Sequence, residues 1–147
     1  MKQTKLFLVA LMCMMMQTVV CNADDDVMIP VSQLPAAART FVQKTFPGKK
    51  ILYAQKDRFF SSKYDVRLDD GTEVDFERNG MWDKVDCHYT AVPASLIPAA
   101  IANYVKANFP ESIVTKIDKE RHGYDIELSN ELELKFNKRG MLIGMDD

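Results

Sequence analysis

The chain has 147 residues, a formal net charge of −2 and three cysteines. This length and apolar content suit one compact domain rather than several. The mildly acidic balance argues against a nucleic-acid-binding protein, because the sequence has no basic patch that would neutralise phosphates.

The first 23 residues are typical of a secretory signal peptide. Lys2 and Lys5 precede an apolar stretch over residues 6–20, and Cys21-Asn22-Ala23 offers small residues for cleavage. The apolar stretch is too short for a membrane span. We therefore expect export to the periplasm with cleavage after Ala23. The alternative is a lipoprotein anchored through Cys21, which is less favoured because no small residue stands just ahead of that cysteine.

The remaining sequence contains two similar units. Residues 30–58 align with residues 93–121 at an offset of about 63, and PVSQLPAAARTFVQKTFP matches PASLIPAAIANYVKANFP. This pattern divides the mature chain into a first unit, residues 24–89, and a second unit, residues 90–147. The connection between them is too short for a free linker, so we expect the units to pack as one domain.

Each unit opens with a predicted helix. In the first unit, Ser32 is the candidate N-cap and Pro35 fits the first turn. Phe46-Pro47 ends the helix, because the residue before a proline is pushed out of the helical region. The second unit carries the same signals at Ser95, Pro98 and Phe109-Pro110.

Apolar and polar residues alternate with a period of two after each helix. This alternation is typical of half-buried antiparallel strands, and Asp70-Gly71 and Asn79-Gly80 are strong hairpin signals between them. With further strands near residues 50–56 and 113–119, each unit is one helix followed by four strands. The predicted fold class is therefore α+β. Two tandem repeats would form one eight-stranded antiparallel curved sheet, with the helices on one face and the other face open to solvent.

The ordered combination of these motifs resembles the PepSY-like, beta-lactamase-inhibitor-like proteins exported by Gram-negative bacteria. The stretches QLPAAARTFVQKTFP and YDVRLDDGTEVDFERNGMW carry the resemblance, together with the signal peptide followed by Asp24-Asp25-Asp26. The resemblance covers the mature chain and implies the same tandem repeats and eight-stranded sheet. It also implies a periplasmic location and a role in binding or inhibiting another protein, and it supplies no catalytic residues.

No group of residues in the sequence is typical of an enzyme. Cys87 and His88 are neighbours that would point to opposite faces of a strand, so they form a poor catalytic dyad. With only His88 and His122, a histidine-based zinc site would need carboxylate ligands. We predict no enzymatic activity, no metal site and no cofactor. Cys87 is expected to be a small half-buried apolar residue, with a reactive or intermolecular thiol as the alternative.

Aromatic residues that differ between the units are the candidate binding residues. Trp82 follows the Asn79-Gly80 turn, and the sequence leaves open whether it is exposed on the open face or buried against the core. Phe59 and Phe60 lie in a stretch that the second unit shortens, and Tyr53 and Tyr89 are weaker candidates. We expect a non-enzymatic protein that engages a protein or peptide of the cell envelope through the open sheet face.

Calcium binding is the alternative function. Acidic residues are plentiful at Asp24-Asp25-Asp26, Asp69-Asp70 and Asp146-Asp147, and calcium needs several converging oxygen ligands. Their spacing matches no EF-hand, and Asp69-Asp70 is also explained by its hairpin turn.

Overall fold

The computed structural model describes residues 26–58 and 63–147. The predicted signal peptide, Cys21 and the Phe59-Phe60 pair lie outside these residues. The described chain has nine strands, two α-helices and a short 3-10 helix ahead of each α-helix. In chain order these are β1 (Asp26–Ile29), a 3-10 helix (Val31–Gln33), α1 (Ala36–Thr45), β2 (Ile51–Asp57), β3 (Tyr64–Leu68), β4 (Glu73–Phe76), β5 (Trp82–Asp86), a 3-10 helix (Ala94–Leu96), α2 (Ala99–Asn108), β6 (Val114–Lys119), β7 (Gly123–Leu128), β8 (Glu133–Asn137) and β9 (Leu142–Asp146).

The strands form one antiparallel sheet in which the order β1 to β9 follows the sequence. The prediction of eight strands was wrong, because β1 adds a ninth at the edge of β2. Asp26 of β1 pairs with Asp57 of β2, and Ile29 pairs with Ala54. The first half has one α-helix and five strands, β1 to β5, and the second half has one α-helix and four strands, β6 to β9. Their origin as tandem repeats stays a prediction.

Both helices begin later than predicted. Their N-cap positions are Pro35 and Pro98, whereas Ser32 and Ser95 lie in the preceding 3-10 helices. A proline disfavours helical backbone at the residue before it, so neither helix extends back to its serine. The predicted ends are correct, since the Phe46 amide donates to the Val42 carbonyl and closes α1.

One row of apolar residues crosses the sheet and defines its buried face. The residues of this row pair directly with one another from strand to strand, and those from Ala54 to Leu134 are buried. Residues of α1 and α2, including Val42 and Val105, join the same core, so both helices lie on this face. The row consists of Ile29, Ala54, Val66, Val74, Val85, Ile117, Ile126, Leu134 and Met145.

Aromatic rings fix the helices to the sheet. Phe76 and Phe136 are fully buried, and each meets an aromatic ring of a helix edge to face. The Phe41 ring of α1 is 5.6 Å from that of Phe76, and the Tyr104 ring of α2 is 5.4 Å from that of Phe136. Truncating a buried phenylalanine to alanine costs about 3–5 kcal/mol, so these pairs are a major source of stability.

The turn between β4 and β5 decides which face Trp82 occupies. Its loop has three residues and is closed by the Glu77 amide, which donates to the Met81 carbonyl over 2.8 Å. Trp82 then pairs directly with Phe76, and a bulge follows before Lys84 pairs with Asp75. Trp82 therefore lies on the helix side of the sheet.

We predict that Gly140→Ala lowers the free energy of unfolding more than Gly71→Ala does. Both glycines have left-handed backbone, with φ of +76° and +89°, so alanine carries a similar conformational cost of roughly 1–2 kcal/mol at either position. A Cβ at Gly140 would also lie 2.6 Å from the Cβ of Ala100 in α2, whereas a Cβ at Gly71 meets nothing within 4 Å. This crowding should destabilise Gly140→Ala by a further amount of about 1–3 kcal/mol. Urea denaturation of both variants measures the difference, and equal losses would contradict the close approach of this turn to α2.

Candidate functional site

Two rows of charged side chains cross the sheet face that points away from the helices. Carboxylates outnumber cations in both rows, and the described residues place neither α-helix over this open face. The first row is Gln55, Asp65, Asp75, Lys84, Asp118, Asp125 and Lys135, and the second is Tyr53, Arg67, Glu73, Asp86, Lys116, Glu127, Glu133 and Asp146.

Ion pairs link neighbouring strands on the open face. Arg67 of β3 binds Glu73 of β4, and the Nζ atom of Lys135 in β8 lies 2.6 Å from an oxygen of Asp146 in β9. Pairs this accessible to solvent contribute about 0–1 kcal/mol each. They arrange the charges of the face but contribute little to the stability of the fold.

Two carboxylates near the middle of the first row have raised pKa values. Burial among its neighbours, then the nearby Asp65 carboxylate, raises the pKa of Asp75 to about 6. Burial, then Glu120, raises the pKa of Asp118 to about 6. Burial also raises the pKa of Asp65, with Asp26 as the next cause. Negative charge is therefore disfavoured at the centre of the face, and a bound cation would stabilise it.

Trp82 lies at the margin of the helix side, half-buried. Its ring stacks on Phe41 with 6.2 Å between the ring centroids. The Nζ atom of Lys119 lies 3.5 Å from the centre of the Trp82 ring and donates to the Trp82 carbonyl over 3.1 Å. Of the two alternatives that the sequence left open, the structure places Trp82 with the core. Trp82 stays a predicted binding residue. Because it does not lie on the open face, a partner would contact it at this margin of the helix side.

Tyr53 and Tyr89 both lie near Arg67. Tyr53 belongs to the second row of the open face, and Tyr89 lies in the connection after β5. Tyr53 pairs with Arg67 and both line a shallow depression of about 240 Å³. Tyr89 is 95% exposed and lines a second depression of about 370 Å³, which Arg67 also borders. The structure thus brings the two predicted tyrosines to adjoining depressions. Sequence reasoning missed Arg67, because alternation identifies the face of a residue but not its neighbours across the strands.

Cys87 and His88 do not form a catalytic pair. Cys87 is buried directly after β5, and burial raises the pKa of its thiol, so the reactive thiolate is disfavoured. His88 is exposed and its backbone is left-handed, with φ of +53°. Its imidazole lies beside Glu73 and Asp86 instead.

Two of the acidic residues proposed as calcium ligands, Asp70 and Asp146, have structural partners. Asp70 accepts from the Thr72 amide through Oδ1 over 3.0 Å and pairs with Lys49 through Oδ2, and Asp146 pairs with Lys135. Asp24 and Asp25 lie outside the described residues. Apart from Asp146, the carboxylates of the open face were not among these candidates, because they are far apart in the sequence.

The family model described as "Putative beta-lactamase-inhibitor-like, PepSY-like" matches residues 62–144. The chain belongs to this PepSY-like family. The resemblance noted in the sequence is therefore confirmed, and no enzymatic activity is attached to the family or to the similar structures below.

Three solved structures from Bacteroides are similar to the PepSY-like chain over almost their whole length. Two from Bacteroides vulgatus, each described as a "putative periplasmic protein", are 39% identical to it, with TM-scores of 0.78. They cover 85% and 83% of this chain, and 99% of each of their own chains is matched. A "putative calcium-regulated periplasmic protein" from Bacteroides thetaiotaomicron is 40% identical, with a TM-score of 0.80. It covers 85% of this chain, and 99% of its own is matched.

No curated protein matches the chain. Among the described residues, neither helix of this PepSY-like protein has the length and apolar character that crossing a bilayer requires.

We predict that the free energy of unfolding of the Asp75→Asn variant increases, relative to that of the unchanged protein, as the pH rises. The pKa of Asp75 is about 6 in the folded protein and 3.8 ordinarily, so its protonated form favours folding. That stabilising contribution is fully present below about pH 4 and is lost as the pH rises through about 6. Asparagine does not ionise and avoids this loss.

Urea denaturation at about pH 4 and about pH 7 measures the effect. Gln55→Asn serves as the control, because it changes the same face and removes no ionisable group. A stability difference for Asp75→Asn that stays constant across this range would contradict the burial of the Asp75 carboxyl.

Proposed function

We propose that this protein is an exported, non-enzymatic binding protein that uses its open sheet face to engage a protein or peptide partner. The observation that carries the proposal is the division of the sheet, in which both helices pack on one face and the other presents ordered charged rows. The signal-peptide pattern of residues 1–23 and the similar structures described as "putative periplasmic" proteins support a periplasmic location.

The depressions beside Tyr53, Arg67 and Tyr89 are the best candidates for the contact area. Tyrosine and arginine are enriched among residues that dominate binding energy at protein interfaces. Arg67 borders both depressions, so one partner segment could contact both tyrosines. The excess of carboxylates around them favours a partner segment that carries lysine or arginine, since complementary charge speeds and orients association.

An inhibitory or regulatory effect on the partner is a further part of the proposal. Its support is the family description, which names beta-lactamase-inhibitor-like proteins. One fold hosts many functions, so this support concerns the type of protein and not a particular enzyme.

We predict that Tyr53→Ala and Arg67→Ala each reduce capture of the partner about tenfold or more, because each removes a side chain from the contact area. The measurement is quantitative affinity capture from periplasmic extract, comparing the same partner band across variants. Arg39→Ala is the matched control, since Arg39 is an exposed arginine on α1 and its loss should leave capture unchanged. Undiminished capture by both open-face variants would exclude this contact area.

Calcium binding is a second candidate function. Carboxylates stand directly opposite each other at Asp65 and Asp75 and at Asp118 and Asp125, an arrangement that is destabilising without a cation. Calcium prefers such oxygen ligands. A similar structure from Bacteroides thetaiotaomicron is described as a "putative calcium-regulated periplasmic protein", which supports testing calcium on this chain.

We predict that calcium binds with a dissociation constant of about 10⁻⁴–10⁻³ M, as in extracellular calcium modules, and that Asp75→Asn together with Asp118→Asn weakens it. Both substitutions remove a negatively charged oxygen ligand. Isothermal titration calorimetry on metal-free protein measures the affinity. Glu111→Gln is the control, because Glu111 is an exposed carboxylate between α2 and β6 and belongs to neither charged row. A titration without heat at millimolar calcium would dispose of this function.

A further inference from the structure

At one end of the open face, an imidazole joins two carboxylates on neighbouring strands. The ligand atoms of Glu73, Asp86 and His88 all lie within 4.8 Å of one another. We propose that these three residues, named here the His88 site, bind a divalent transition-metal cation of the Zn²⁺ type. This inference is separate from the calcium function above, which concerns carboxylates of the first charged row.

The sheet register brings the two carboxylates together. Glu73 in β4 is the direct partner of Asp86 in β5, and like charges directly opposite each other are destabilising. Arg67 neutralises part of this charge by pairing with Glu73. A cation bound between the two carboxylates would remove more of the repulsion, which gives the site a reason to take up metal.

The backbone of His88 turns its ring back towards these carboxylates. The His88 amide donates to Oδ1 of Asp86 over 2.8 Å, and Nδ1 of the ring lies 3.4 Å from the same oxygen. On the other side of the ring, Nε2 lies 3.8 Å from Oε1 of Glu73. The ring is therefore held between the two acidic groups, with one nitrogen facing each.

This arrangement matches a common pattern at metal centres. A histidine that binds metal through one ring nitrogen usually donates its other N–H to a carboxylate, which fixes the ring and strengthens it as a ligand. Asp86 is placed to orient the ring in this way through Oδ1, which leaves its other oxygen for the metal. Nε2 then presents its lone pair on the side of Glu73. Zinc holds nitrogen and oxygen ligands at about 2.0–2.2 Å, so small side-chain rotations bring Nε2 and the Glu73 oxygen to one ion.

The imidazole also determines which metal is favoured. Calcium and magnesium prefer oxygen ligands alone, whereas imidazole suits zinc, copper, iron and nickel. His122, the other histidine, pairs with one carboxylate only, Asp125 at 2.6 Å. The His88 site thus differs in chemistry from the rest of the face.

One cation already contacts this site. Arg67 contacts Oε1 of Glu73, whereas the Nζ atom of Lys116 lies 3.7 Å from an oxygen of Glu127, outside the site. A carboxylate has two oxygens, so Glu73 can bind Arg67 through one and a metal through the other. Removing the Arg67 charge should therefore strengthen metal binding, which separates this site from a binding surface that depends on Arg67.

The test is calorimetric titration of metal-free protein with zinc chloride, with calcium chloride titrated in parallel. We expect one zinc per chain, an affinity at least tenfold weaker in His88→Gln, and an affinity close to that of the unchanged protein in the matched control His122→Gln. Arg67→Gln should bind zinc more tightly. Replacing His88 should leave the calcium titration unchanged, so failure of the zinc site and failure of the calcium function are distinguishable.

A second readout does not depend on variants. Zinc should shift the ring resonances of His88 in NMR spectra and leave those of His122 in place. The proposal is overturned if zinc gives no saturable heat, if His88→Gln binds zinc as tightly as the unchanged protein, or if the two histidine variants lose affinity equally.

Discussion

The apolar row that runs from Ala54 in β2 to Leu134 in β8 is the constraint on which the structure depends. Side chains alternate between the faces of a strand, so a row that is buried on one face requires the residues between to point to the other. Both helices are needed to cover the apolar face. The charged rows of the open face follow from the same register.

The two faces differ in how much they stabilise the protein. A buried phenylalanine such as Phe76 is worth several kcal/mol, whereas an exposed ion pair such as that of Lys135 with Asp146 contributes about 0–1 kcal/mol. Substitutions on the open face therefore change its charge and binding properties and leave the core intact. Burial first, and then neighbouring carboxylates, raise the pKa values of Asp75 and Asp118, so the ionised forms of these two groups carry a cost at neutral pH.

Much of the fold could be predicted from local signals. Proline fixes the helix ends after Thr45 and Asn108, and the period of two identifies the strands of both halves. The N-terminal strand was missed because its acidic start resembles a solvated terminus, and pairing with β2 is a long-range effect. The serines were wrong as helix caps because Pro35 and Pro98 stop each helix from extending back to them.

The candidate site was less predictable than the fold. Tyr53 and Tyr89 could be named as aromatic residues that differ between the two units. Trp82, however, could not be assigned to a face without knowing that its turn has three residues. The cluster of Glu73, Asp86 and His88 spans two strands and the connection after them. Only the register of β4 against β5 brings it together, and no sequence motif encodes that register directly.

The central claim, that the open face is the binding surface, is tested most directly by carboxyl footprinting with and without a captured partner. Chemical labelling of carboxylates, read by mass spectrometry, compares Glu73 on the open face with Glu111, which is exposed after α2. The account predicts that the partner protects Glu73 and leaves Glu111 labelled as before. Protection of Glu111 with unchanged labelling of Glu73 would contradict it.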